Sequence, residues 1–198
     1  MPDAILLAGG GEGTGPGKAF LDGAGHPMVW YVARALASTK AVGRVVAVGP
    51  PEALRAACGP LVADVVADEG GSIMDNVVAG LRVLDTAPRM LIAASDIPLL
   101  TMEAVEEFLE ACAKQEADLY YAIVPQSVLE DRYPGARKTF VRVLDGSFTA
   151  GSVLLFNPAL VDRIRGFVEK ILAARKKPWL MASLFGWSTT MRLASGRL

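Results

Sequence analysis

The sequence predicts an α/β protein: one three-layer α/β/α domain on a mainly parallel sheet, with a C-terminal helical extension. Three observations predict it. Short, wholly apolar runs recur through the first 124 residues, as strands covered on both faces require. A stretch of helical periodicity follows most of them. The resulting order of strand, helix, strand demands right-handed crossovers and hence parallel pairing.

Taken in order, Ala4–Ala8 is the first strand and runs directly into Gly9, Gly10 and Gly11. Leu21 to Pro27 is a turn-rich link, and Met28 to Ser38 reads as a helix. Arg44–Val48 is the second strand, stopped by Gly49-Pro50-Pro51, and Pro51 opens a short helix to Cys58 because proline is tolerated in a first turn. Asp64–Ala67 is a brief third strand. Ser72 followed by Asp75 has the spacing of an N-cap with an acidic third residue, opening a helix to about Leu84. Arg89–Ala94 is the fourth strand, Thr101 starts a helix reaching Lys114, and Asp118–Val124 is the fifth strand.

The pattern then changes. Residues 125–150 read as irregular and polar, with Thr139–Leu144 alternating like an exposed strand before the turn Asp145-Gly146; Ser152–Phe156 is again an apolar strand. Leu160, Val161, Ile164, Phe167, Val168, Ile171 and Leu172 fall on one helical face. Pro178–Arg197 reads as further helix, whose Trp179, Phe185 and Trp187 are expected to cover the core, the alternative being a homodimer face. One domain over 1–198 is expected, divided into a βαβ half (1–124) and a remainder (125–198).

Composition sets bounds on function. With 52% hydrophobic and 21% charged residues, the 198-residue chain is an ordinary globular protein with one core. A net charge of −1 argues against nucleic acid as partner. The basic groups Arg137-Lys138 and Arg175-Lys176-Lys177 suit small phosphorylated ligands better. Cys58 and Cys112 have no metal-ligand spacing and read as core residues of a reducing compartment. Five apolar residues after Asp3 make neither a signal peptide nor a membrane span, so a cytoplasmic protein without a membrane partner is expected.

The run from Gly9 to Lys18 is the first functional candidate. Glycines let backbone N–H groups approach phosphate oxygens, and Lys18 adds a mobile positive charge suited to a triphosphate. A Walker A loop is excluded: Glu12 stands where its first glycine belongs, and Ala19 replaces the Ser or Thr after the lysine. The loop is too long for a dinucleotide fingerprint, and the second strand lacks its acidic end. A glycine turn without ligand is disfavoured by the entropy so many glycines cost. The second candidate is Asp96, which follows the fourth strand at the same sheet edge in Ser95-Asp-Ile-Pro98. Mg²⁺ takes few carboxylate oxygens and completes its shell with phosphate and water, so Asp96 is a candidate metal ligand. The alternative is an Asp capping the helix near Thr101. His26, before Pro27, reads as structural.

With Leu7-Ala-Gly-Gly10 and Gly11 leading to Lys18, and with Ser95-Asp-Ile-Pro-Leu-Leu100, the chain resembles the MobA-like nucleotidyltransferases, a family with a Rossmann-like (GT-A-type) fold. His26-Pro-Met-Val-Trp-Tyr31 and Gly70-Gly-Ser-Ile-Met-Asp-Asn-Val-Val-Ala-Gly-Leu81 extend the resemblance. It implies transfer of a nucleoside monophosphate from an NTP to a phosphorylated acceptor, with Mg²⁺ as cofactor and pyrophosphate released. Carried over, Leu7, Ala8, Gly9, Gly10, Gly11 and Lys18 would hold the nucleotide with Gly71, Ser72 and Asn76. Asp96 would hold the metal, Lys18 and Asp96 would act in catalysis, and Arg137, Lys138 and Lys176 would bind the acceptor. For Ser72, helix capping is an equal alternative. This chain departs from the family pattern in having no loop arginine and in Ala150-Gly151-Ser152, where relatives have Gly-Asn. Relatives also draw a second metal ligand from a C-terminal acidic segment, a ligand the sequence to Leu198 is expected to lack. Two other readings compete: a glycosyltransferase, disfavoured because Asp-x-Asp is missing after the strand, and a nucleotide-binding protein without transferase activity.

Overall fold

The structure is a computed structural model and describes residues 1–9, 17–68, 72–84 and 87–174. Its elements run β1 (Asp3–Leu7), β2 (Asp22–Gly23), β3 (His26–Pro27), α1 (Met28–Ser38), β4 (Val45–Gly49), α2 (Pro51–Cys58), β5 (Asp64–Ala67), α3 (Ile73–Val83), β6 (Met90–Ala94) and α4 (Met102–Ala113). They continue with β7 (Leu119–Pro125), α5 (Gln126–Arg132), β8 (Val141–Val143), β9 (Gly146–Phe156) and α6 (Val161–Ala174), and 3-10 turns occupy Lys18–Phe20, Gly59–Leu61 and Pro158–Leu160. The fold is α/β with a mainly parallel, Rossmann-like sheet. Packing divides the chain into two compact units, Met1–Tyr121 with Ser152–Arg163 and Ala122–Gly151 with Ile164–Leu198.

In the first unit the strand order is β5-β4-β1-β6-β9, parallel from β5 to β6, with Val153–Phe156 of β9 antiparallel on β6. Ala4, Ile5 and Leu6 of β1 and Val46, Ala47 and Val48 of β4 expose no surface, which explains their uninterrupted apolar runs. Helix α3 lies close on β1: a Cβ at Gly80 would stand 3.0 Å from two Ile5 side-chain carbons. Its start is a complete capping box, with Asp75 N donating to Ser72 Oγ (3.3 Å) and Ser72 N donating to Asp75 Oδ2 (2.7 Å). Cys58 and Cys112 are buried, and burial pushes the Cys58 thiol up to about 11 and raises that of Cys112 despite the opposing Arg89 charge. Neither is a nucleophile at neutral pH. Among the described residues no helix is long and apolar enough to cross a membrane.

In the second unit, β8 pairs antiparallel with the start of β9 (Val141↔Phe148), and Gly151 packs so closely on Ala122 that a Cβ there would come within 2.9 Å of the Ala122 Cβ. Helix α5 is a departure from the expected irregular stretch. It buries no residue and so leaves no apolar period to read. Its support is local, from Gln126 Nε2 donating to Glu130 Oε1 at 2.6 Å. Strand β9 starts at Gly146 rather than Ser152, because its first half is held by β8 instead of the core. The link Leu21–Pro27 contains the small hairpin β2–β3, turned by Ala24 (φ 56°) and Gly25 (φ 94°). The expected helix Pro178–Arg197, with Trp179, Phe185 and Trp187, lies outside the described residues.

Two stability predictions follow from this packing. Gly80→Val should destabilise the protein by about 1–3 kcal/mol in urea unfolding, because the added methyls have no room against Ile5. Ser72→Ala should cost about 1 kcal/mol in the same assay through loss of the cap.

Candidate active site

The carboxyl ends of β5, β4, β1 and β6 share one edge of the first unit's sheet. At that edge Ala8 N donates to Val48 O (2.8 Å), Asp68 N to Gly49 O (3.2 Å) and Ser95 N to Leu7 O (3.1 Å). The last bond carries the β1–β6 register (Leu7↔Ala94) one residue further. Gly9 and Asp96 thus follow neighbouring parallel strands at this edge, each two residues beyond the final registered pair. Ser95 is buried, and the Asp96 side chain is open to solvent. Asp96 does not cap the following helix: Thr101 does, its hydroxyl accepting from Ala104 N at 3.2 Å.

At Gly9 a side chain would have to displace two neighbouring side chains. A Cβ there would overlap Asp68 Oδ2 outright and stand 2.7 Å from Asp68 Cγ and 2.8 Å from Asn76 Nδ2. A Cβ at Gly49 would lie 2.9 Å from the Ala8 carbonyl carbon and 3.1 Å from Gly9 N, so β4 also reaches this point only as glycine. Asn76 is 3% exposed, and its Oδ1 has no hydrogen-bond partner among the described residues. A buried acceptor left unsatisfied costs about 1–3 kcal/mol, which a donor arriving with a ligand would recover. Carboxylate, carboxamide and bare backbone thus converge around the end of β1.

The remaining sequence candidates divide by place. Leu7 and Ala8 lead into Gly9 at the end of β1. Ser72 starts α3 one turn before Asn76, and its hydroxyl also donates to Asp75 Oδ2 at 2.9 Å, so its capping role is realised. Lys18 is exposed at the start of its 3-10 turn. The hairpin that follows is anchored by the Tyr31 hydroxyl, which donates to Gly23 O and Ala24 O. His26 stacks on Trp30 at 3.8 Å between centroids, and Arg34 lies on the Trp30 ring. Arg137 and Lys138 are exposed in the coil before β8, in the second unit. Gly10, Gly11, Gly71 and Lys176 lie outside the described residues.

Asp68 was not among the sequence candidates. Its signal was available: an acidic residue directly after a short strand and before Gly70-Gly71, at an edge where parallel sheets place ligands. Among the described residues no three His, Cys, Asp or Glu side chains converge as a closed metal cage. An exposed Asp96 at the same sheet edge as Gly9 instead suits a cation of the Mg²⁺ type, which binds through one or two carboxylates and takes its other oxygens from phosphate and water.

A solved structure described as a hypothetical transferase from Thermus thermophilus is 34% identical, with a TM-score of 0.86 over 100% of this chain and 83% of that one. A CMP:2-keto-3-deoxy-manno-octonic acid synthetase complexed with CTP superposes with a TM-score of 0.65 over 84% of this chain and 78% of its own. At 15% identity that likeness is one of fold. No functionally curated protein matches the sequence significantly. The MobA-like NTP transferase domain matches residues 4–181, and the chain belongs to that family.

Proposed function

We propose that this chain is a Mg²⁺-dependent nucleotidyltransferase that moves a nucleoside monophosphate from an NTP to a phosphorylated acceptor and releases pyrophosphate. The observation that carries the reading is that Gly9 and Asp96 follow adjacent parallel strands at one edge of the sheet, each two residues past the last registered pair. Backbone amides from Gly9 onward and the Lys18 ammonium hold the β- and γ-phosphates, and Asn76, with its unsatisfied Oδ1, meets a donor on the nucleotide. Asp96 would hold the Mg²⁺, which when bound supplies Lewis-acid polarisation and charge neutralisation at the triphosphate. An oxygen of the acceptor phosphate attacks the α-phosphorus, the bond to the β-phosphate oxygen breaks, and its electron pair leaves with pyrophosphate. The protein needs no nucleophile of its own, and its residues orient the two reactants and offset developing charge. Two buried, unbridged thiols suit a cytoplasmic setting.

Pyrophosphate release, measured for each NTP against sugar phosphates, phosphoalcohols and pterin phosphates with MgCl₂ or EDTA, tests the proposal. One NTP with one acceptor class should release pyrophosphate with MgCl₂ and not with EDTA. Nucleotide binding without release under any pairing would overturn the transferase reading, as would cleavage of a nucleotide sugar in its place. Asp96→Ala should reduce turnover to background and Lys18→Ala should lower it by about two to three orders of magnitude. Both side chains are exposed, so the thermal melts should stay close to wild type. Gly9→Ala should weaken NTP binding at least about tenfold by displacing Asp68 and Asn76, as read by calorimetric titration.

A further inference from the structure

Two non-glycine residues among those described have positive φ, Ala24 (56°) and Ser152 (59°). Ala24 is accounted for by the β2–β3 turn. Ser152 is not in a turn. It lies inside β9, one residue before the ladder on β6 begins at Val153. A left-handed backbone is sterically unfavourable for a residue with a Cβ, and such outliers persist where the surroundings impose them, often at functional sites. The local cause is visible one residue earlier. Gly151, the residue best able to take positive φ, is used for close packing on Ala122, and the left-handed step falls on the serine.

The position of that step is informative. Val153 pairs with Ala93 in antiparallel register, so Ser152 falls opposite Ala94, two residues before Asp96. Along the sheet edge the order is β5, β4, β1, β6, β9. Asp68 follows β5, and Gly9 with the adjacent Asn76 side chain stands at the end of β1, all on one side of Asp96. Ser152 stands on the other. A displacement at phosphorus brings the attacking oxygen in roughly opposite the leaving one. A left-handed residue within a strand leaves the ladder and re-aims its side chain, as bulges beside active sites do.

We propose that Ser152 is an acceptor-binding residue: its left-handed backbone turns the hydroxyl out of the ladder to meet the acceptor phosphate on the side of Asp96 away from Gly9. This rests on the nucleotidyltransferase reading. A hydroxyl serves there because it donates to a phosphate oxygen without adding charge beside the Asp96 carboxylate.

Ser152→Gly and Ser152→Ala test it, through thermal melts in MgCl₂ with each α,β-methylene NTP analogue, then with inorganic phosphate added. Ser152→Gly should melt about 2–4 °C above wild type as the strain is released. Both variants should retain the analogue's shift and lose the further shift that phosphate gives wild type. In turnover, acceptor KM should rise about tenfold while NTP KM stays unchanged. A phosphate shift equal in wild type and both variants, or no such shift in wild type, overturns the role of Ser152. A missing analogue shift counts instead against the nucleotidyltransferase reading.

Discussion

Strands β1 and β4 end against one another with no side chain between them. Gly49 lies on the Ala8–Gly9 backbone, and Gly9 lies under the Asp68 carboxylate and the Asn76 amide. At Gly49 a Cβ would meet backbone, at Gly9 it would push aside the Asp68 and Asn76 side chains, and the rest of the candidate site depends on this contact. It brings the acidic residue after β5 across to the end of β1, and it sets the point from which the glycine loop departs. Glycine in both places costs conformational entropy on folding, offset by the burial of β1 and β4 behind it.

The register between β1 and β6 then sets which residues share this edge. Leu7 pairs with Ala94 at the ends of these parallel neighbours, so Gly9 and the solvent-facing Asp96 leave the sheet on the same side. Under the proposed function, the Asp96 carboxylate would repel a polyphosphate bound beside it unless a cation lay between them, which is the role proposed for Mg²⁺.

Much of the fold was legible because its determinants are local. Helices α1 and α2 run over Met28–Ser38 and Pro51–Cys58 as their periodicity and the Pro51 start predict, and the Ser72–Asp75 spacing is a capping box in fact. Apolar runs located the central strands to within a residue at each end. Helix α5 was not legible, since it buries nothing, and the first half of β9 was hidden because its partner is the exposed β8. Asp68 was overlooked because Gly9 is distant from it in sequence and comes beside it only once β1, β4 and β5 pair.

By itself the sequence determined the central strands and the helices that pack on them, that the sheet is mainly parallel, and that a glycine run and an Asp follow two of its strands. Those properties follow from hydrophobic period, capping spacing and turn chemistry, all readable within a few residues. Only the tertiary structure decided which strands are neighbours and in what register. It thereby decided that Gly9 and Asp96 leave one sheet edge from adjacent strands, that Asp68 and Asn76 close on Gly9, and that Ser152 falls opposite Ala94 in a left-handed conformation. Pairing between distant strands depends on summed packing over many residues, and that sum exists only once the chain has folded.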